Sequence, residues 1–234
     1  MIRFHLSAHW DCPARLVGWR ETRTANMTVP PALAHEFPVW VRYLTILWFV
    51  VWFPAYWRVW GAANFLHICD IAVFLICAGL LTNSPLLLSS QAVGALIIDA
   101  VWMLDAGWKV VTGHGLMGTA DYLFDSKYPL WVRLLTLFHI VIPVLLIWSM
   151  ARFGYDRRGF ALQCAITLVA FVISRFTSPA ENINFVFQEP FFHRAWGPAP
   201  VHILVIWVFM IVVVYLPTHL VLRALFHAPA VRLP

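Results

Sequence analysis

Six apolar stretches, at about residues 39–57, 62–81, 86–111, 130–153, 160–176 and 201–226, follow one another along the chain with short polar segments between them. A bilayer crossing needs about 20 mostly apolar residues, and backbone in lipid has to satisfy its hydrogen bonds within its own segment, which a helix does. The composition agrees: 62% of residues are hydrophobic and 12% charged, with a mean hydropathy of +0.77, where a soluble domain carries about 25% charge. The pattern predicts an all-α, polytopic transmembrane helical bundle of about six spans. Residues 1–36 are expected to form a cytoplasmic tail, with a short surface helix near 13–19, residues 37–228 the membrane domain, and 229–234 a second tail.

Lys and Arg give the expected orientation. With six crossings, ten fall on the side of the amino terminus, among them Arg42, Arg152, Arg157, Arg158 and Arg223. Six fall on the other: Arg58, Lys109, Lys127, Arg133, Arg175 and Arg194. The positive-inside rule places both termini in the cytoplasm, in a bacterial inner membrane. The loops at 112–129 and 177–200 then share the opposite face. No apolar leader resembling a signal peptide precedes the first span. The net charge of +5 is spread thinly, without the basic cluster that nucleic acid would require. Four scattered cysteines, Cys12, Cys69, Cys77 and Cys164, suggest neither a disulfide framework nor a zinc site.

Ionisable residues within the apolar stretches mark the place to look for function, because a charge at membrane depth costs at least about 2.5–3.5 kcal/mol. In the second span Asn64, His67 and Asp70 recur every three residues, which predicts one slanted ridge with His67 touching Asp70. A carboxylate beside an imidazole fixes its tautomer and raises its basicity, as a general base or a metal ligand needs. Helix-packing glue is the plainer role for such a pair. Asp99 is the deeper acid of the third span, and Asp105, four residues before Lys109, fits a boundary ion pair. His139 lies one turn before Pro143, where proline is expected to kink the fourth span.

Two loop motifs, Asp121-Tyr-Leu-Phe-Asp125 and Glu181-Asn-Ile-Asn-Phe185, mix carboxylates and amides with aromatics, a composition suited to lidding a cavity or holding a lipid head group. Asn64, Asp105, Asp121, Asp125, Asn182 and Asn184 are the substrate-binding candidates. His67, Asp70, Asp99 and His139 are acceptable zinc or magnesium ligand types, but no compact metal signature joins them and the cofactor stays open. Cys69 could serve as a nucleophile only with a base brought from another helix, since on a regular helix it points about 160° away from His67. A buried cysteine acting as a small apolar residue is the simpler reading.

The stretch Asn64-Phe-Leu-His-Ile-Cys-Asp-Ile-Ala-Val-Phe-Leu, with the Leu-Leu-Thr-Asn-Ser-Pro turn after it, resembles the YwaF-type integral membrane proteins of bacteria. Over residues 60–150 that resemblance implies acyl transfer between phospholipids, with Cys69 as nucleophile and His139 as base. The segments His67-Ile-Cys-Asp70, Asp121–Asp125, Leu137-Phe-His139, 154–158 and 179–184 are also similar to a second group of bacterial membrane-associated proteins, which implies no activity.

These residues lead to one expectation and two rivals. The expectation is a membrane lipid, or another membrane-dissolved substrate, bound in a buried His/Asp pocket and altered by acyl transfer or hydrolysis, with His139, Cys69, His67, Asp70 and Asp99 as the catalytic set. The rivals are a proton-linked transporter, against which the lack of an inverted repeat counts, and a non-catalytic membrane subunit or scaffold.

Overall fold

The computed structural model describes residues 36–226; the tail motifs, Cys12 and the surface helix expected near 13–19 lie outside them. The described residues are helical, with α1 Val39–Trp60, α2 Ile68–Thr82, α3 Pro85–Thr112, α4 Leu130–Leu135, α5 Phe138–Phe153, α6 Arg158–Ser174, α7 Ala199–Phe209 and α8 Leu216–Leu225. Short 3-10 turns occupy Ala62–Leu66, Asp121–Leu123 and Ile183–Phe185. Four helical segments are long and apolar enough to cross a membrane: Val39–Trp60, Pro85–Thr112, Leu130–Phe153 and Ala199–Leu225. α2 and α6 are equally apolar but shorter, at 15 and 17 residues.

The outer faces are as apolar as the core. Leu47, Val144, Val169 and Val205 are exposed at 62, 68, 57 and 41%, and a helix that is apolar all round belongs in lipid or in a protein interior. α3 is the hub. It packs against α2, α5, α6 and α8, and its serines, glutamine and acids are buried along with its aliphatic residues.

Two glycines permit these close approaches. A Cβ on Gly159 would sit 2.7 Å from the Ser90 backbone nitrogen, so glycine is what lets α6 begin against α3. At Gly94 a Cβ would collide with the side-chain amide of Gln163.

The helix ends sort into two groups. At one end, the turn end, Asn83 accepts from the Phe37 N–H, Arg152 donates to the Glu36 carbonyl, and the Tyr155 N–H donates to the Phe226 carbonyl. At the other, the loop end, Trp60 meets Tyr122 and Tyr128, and Asn184 bonds Leu66. The loops at 113–129 and 175–198 therefore share one end of the bundle.

Three expected spans are broken helices. The second stops at His67, whose ψ of 136° is extended, so a 3-10 turn precedes α2. Asn184 repairs the break by donating to the Leu66 carbonyl and accepting from the Ile68 N–H, and it ties the junction to Ser174 Oγ of α6. The fourth interrupts at 136–137 rather than at Pro143, which sits inside α5. In the sixth, a π-helical turn at Met210–Tyr215 comes just before Pro217. A proline has no N–H for the carbonyl four residues back and crowds it, and the wider turn accommodates that.

Candidate functional site

Five elements converge beneath the 113–129 loop. Asp70, 2% exposed, lies in the first turn of α2, where the aligned peptide dipoles favour a carboxylate. Asn64, on the preceding 3-10 turn, donates to its Oδ2 at 2.5 Å. Asp99, mid-way along α3 and 1% exposed, leaves Oδ2 with no hydrogen-bond partner. Cys69 lies within electrostatic reach of both carboxyl groups. Tyr56 from α1 and Tyr122 from the loop lie within electrostatic reach of Cys69 and Asp70. Burial, and then the neighbouring thiol and carboxyl groups, push the Tyr122 phenol above its ordinary value, so it stays protonated.

His139 completes the cluster through a stack. The break between α4 and α5 turns the Thr136 carbonyl back, and His139 Nδ1 donates to it at 2.8 Å. That acceptor assigns the proton to Nδ1 and leaves the Nε2 lone pair available. Phe138 and Trp102 sandwich the imidazole, with ring centroids 4.1 and 4.5 Å away and planes within 20° and 12° of parallel. Trp102 Nε1 then donates to Tyr122 Oη at 3.0 Å. The two acids, the thiol and the phenols thus occupy one neighbourhood, and the stack links the imidazole to one of those phenols through Trp102. Such a set can hold or move a proton, and the unpartnered Asp99 oxygen, which buried polar groups rarely tolerate, can receive a polar ligand.

Other sequence-derived candidates hold the structure in place. Among the described residues no hydrogen bond joins His67 to Asp70, because the chain breaks at His67 and Asn64 takes the carboxylate instead. Asp105 does not pair with Lys109. Its oxygens accept from Leu116 N, Met117 N, Ala120 N and Thr119 Oγ1, four bonds that fold the loop over the end of α3. Lys109 pairs with exposed Asp121 at 2.5 Å, and exposed Asp125 accepts from the Lys127 N–H. Asn182 spends its side-chain amide on Phe187 and Gln188 of its own loop, and Asn184 spends its on the break described above. Asp105, Asn182 and Asn184 are thus spent on the fold, whereas Asp121 and Asp125 are exposed and each keeps an oxygen outside these bonds.

Sequence reasoning gave no role to Tyr56 and Trp102 and saw Tyr122 only as an aromatic of the Asp121–Asp125 motif; the three lie on separate elements and their spacing carries no common pattern. It also passed over a second polar interior, nearer the turn end. There Gln91 of α3 donates to Ser90 Oγ and to Gln163 Oε1 of α6, Gln163 donates to Thr167 Oγ1, and Thr167 meets Tyr215 Oη of the π turn at 2.7 Å. All five side chains belong to buried residues.

Among the described residues no group of three or more His, Cys, Asp or Glu side chains is disposed to hold a metal ion. The chain matches no protein-family model, no curated protein and no solved structure.

Proposed function

We propose that this is an integral membrane protein of six helical crossings, with α2 and α6 as the two short ones, that acts on a membrane-dissolved lipid by acyl transfer or hydrolysis. The observation that carries the reading is the buried Asp99 carboxyl with an unpartnered oxygen, set beside Cys69 and Asp70. His139, with Nδ1 tied to a backbone carbonyl, offers Nε2 as the base. In the hydrolytic version Nε2 takes a proton from water as the oxygen attacks the acyl carbonyl, then returns it to the departing alcohol. In the transfer version Nε2 takes the Cys69 thiol proton as the sulfur forms the acyl bond and gives it to the alcohol released when the lipid ester C–O bond breaks; a second alcohol then takes the acyl group from the thioester and its proton returns through Nε2 to the sulfur.

An apolar groove of about 400 Å³ between α2 and α6, lined by Leu66, Ile71, Leu75, Ile166, Val169 and Ile173 among others, supports a lipid chain lying beside this cluster. His139→Ala should abolish lipid turnover by purified protein in both versions, and Cys69→Ala should do so in the transfer version. Turnover retained in both variants would remove the enzyme reading. Two buried acids in one neighbourhood also suit a proton-linked transporter, for which uptake into proteoliposomes would depend on a pH gradient. Unchanged activity of a host complex after Asp70→Asn and Asp99→Asn would instead favour a non-catalytic subunit. By the distribution of Lys and Arg, both termini face the cytoplasm of a bacterial inner membrane.

A further inference from the structure

At the turn end, far along the bundle from the acid cluster, a cavity of about 490 Å³ opens between the α5–α6 turn and the end of α8, lined by Pro85, Phe153, Gly154, Tyr155, Asp156, Arg157, Arg223 and Phe226. Its charge is one-sided. Asp156 is already engaged: Arg158 Nη2 donates to Oδ2 at 2.7 Å and Nε to Oδ1 at 3.1 Å, and this pairing holds the carboxyl below its ordinary range. Arg157 and Arg223, by contrast, form no ion pair among the described residues. Both guanidinium groups lie within electrostatic reach of His219, whose Nδ1 meets Tyr155 Oη at 2.6 Å. Two cations without an ion-pair partner among the described residues therefore line one cavity, with a phenol–imidazole pair beside them. Pro85 brings the first turn of the 28-residue α3, the positive end of its dipole, to the same wall.

We propose that this cavity binds a phosphate-bearing anion, a function separate from the acid cluster. The chemistry that suits it is a singly or doubly charged phosphate held by two guanidinium forks, for which arginine geometry is well matched. Phe153 and Phe226 on the rim, at the end of an apolar bundle, favour the head group of an anionic lipid over a free ion. Arginines on this end carry the cytoplasmic side of the expected topology, where anionic lipid head groups and basic pockets meet.

Native mass spectrometry of the full chain in a neutral detergent tests the site, with dioleoylphosphatidylglycerol, dioleoylphosphatidylcholine and inorganic phosphate titrated separately. The Arg157→Gln/Arg223→Gln double variant should weaken phosphatidylglycerol binding by about tenfold or more, given the attraction expected per basic side chain, and leave phosphatidylcholine binding as it was. Both arginines are exposed and form no ion pair among the described residues, so the variant should keep the parent's elution profile and melting temperature. Lys127→Gln, a charge removed at the opposite end, should change nothing. Competition by inorganic phosphate at millimolar concentration would assign the site to the free ion, and its absence to the lipid head group. Equal phosphatidylglycerol affinity for the double variant and the parent, or an equal loss in Lys127→Gln, would overturn the proposal.

Discussion

The two polar interiors of this bundle differ in the charge and the hydrogen bonding of the groups they bury. Near the turn end, Ser90, Gln91, Gln163, Thr167 and Tyr215 are neutral, and each hydrogen-bonds another member of the series. Roughly 12 Å further along α3, at the helical rise between Gln91 and Asp99, the buried groups are acids, a thiol and an imidazole, and one carboxyl oxygen has no partner. A satisfied neutral network rigidifies helix contacts; an unsatisfied acid lowers stability unless it does something else. The two interiors are alike in burial and differ in how fully their polar groups are satisfied.

The largest effect expected from this contrast is on activity. Asp99→Asn should lower turnover by about 100-fold, on the scale of a positioned acid–base group, while raising the melting temperature, because a desolvated acid is replaced by a neutral amide. A drop in melting temperature with full turnover would move Asp99 to the structural side. Next comes Asp105→Ala, which strands three loop N–H groups and the Thr119 hydroxyl and should cost about 3 kcal/mol, with faster hydrogen exchange at Leu116, Met117 and Ala120.

Gly94→Ala, which forces Gln163 aside, should destabilise by about 1–3 kcal/mol in thermal unfolding, and turnover per folded molecule should hold. Tyr215→Phe should cost about 1 kcal/mol by removing the Thr167 contact. Lost turnover in this last variant, with stability unchanged, would erase the distinction between the two interiors.

Much of the helical layout could be read from hydropathy, since a run of apolar residues shows its length directly. The breaks could not. His67 interrupts a stretch whose periodicity looks continuous, because Asn184, more than a hundred positions later, supplies the donor and acceptor that the break exposes. Asp105 and Lys109 have the spacing of an ion pair, yet a loop rich in glycine and backbone N–H groups competes for Asp105 and wins it. Asp70, Asp99 and His139 were evident as costly residues in apolar surroundings, whereas Tyr56 and Trp102 cost nothing unusual there and gave no signal, and Tyr122 stood out only as a loop aromatic. The arginine-lined cavity joins three separate turns, and no local pattern links Arg157 with Arg223.

Composition and hydropathy by themselves determine that this chain is helical and suited to a membrane, and that a few acids and imidazoles must find shelter inside it. Which of those groups are sheltered by hydrogen bonds and which are left with an open valence was decided only by tertiary structure. The reason is physical: the energy of burying a charge depends on the residue, but its compensation depends on donors brought by distant segments, and sequence spacing does not encode where those donors arrive.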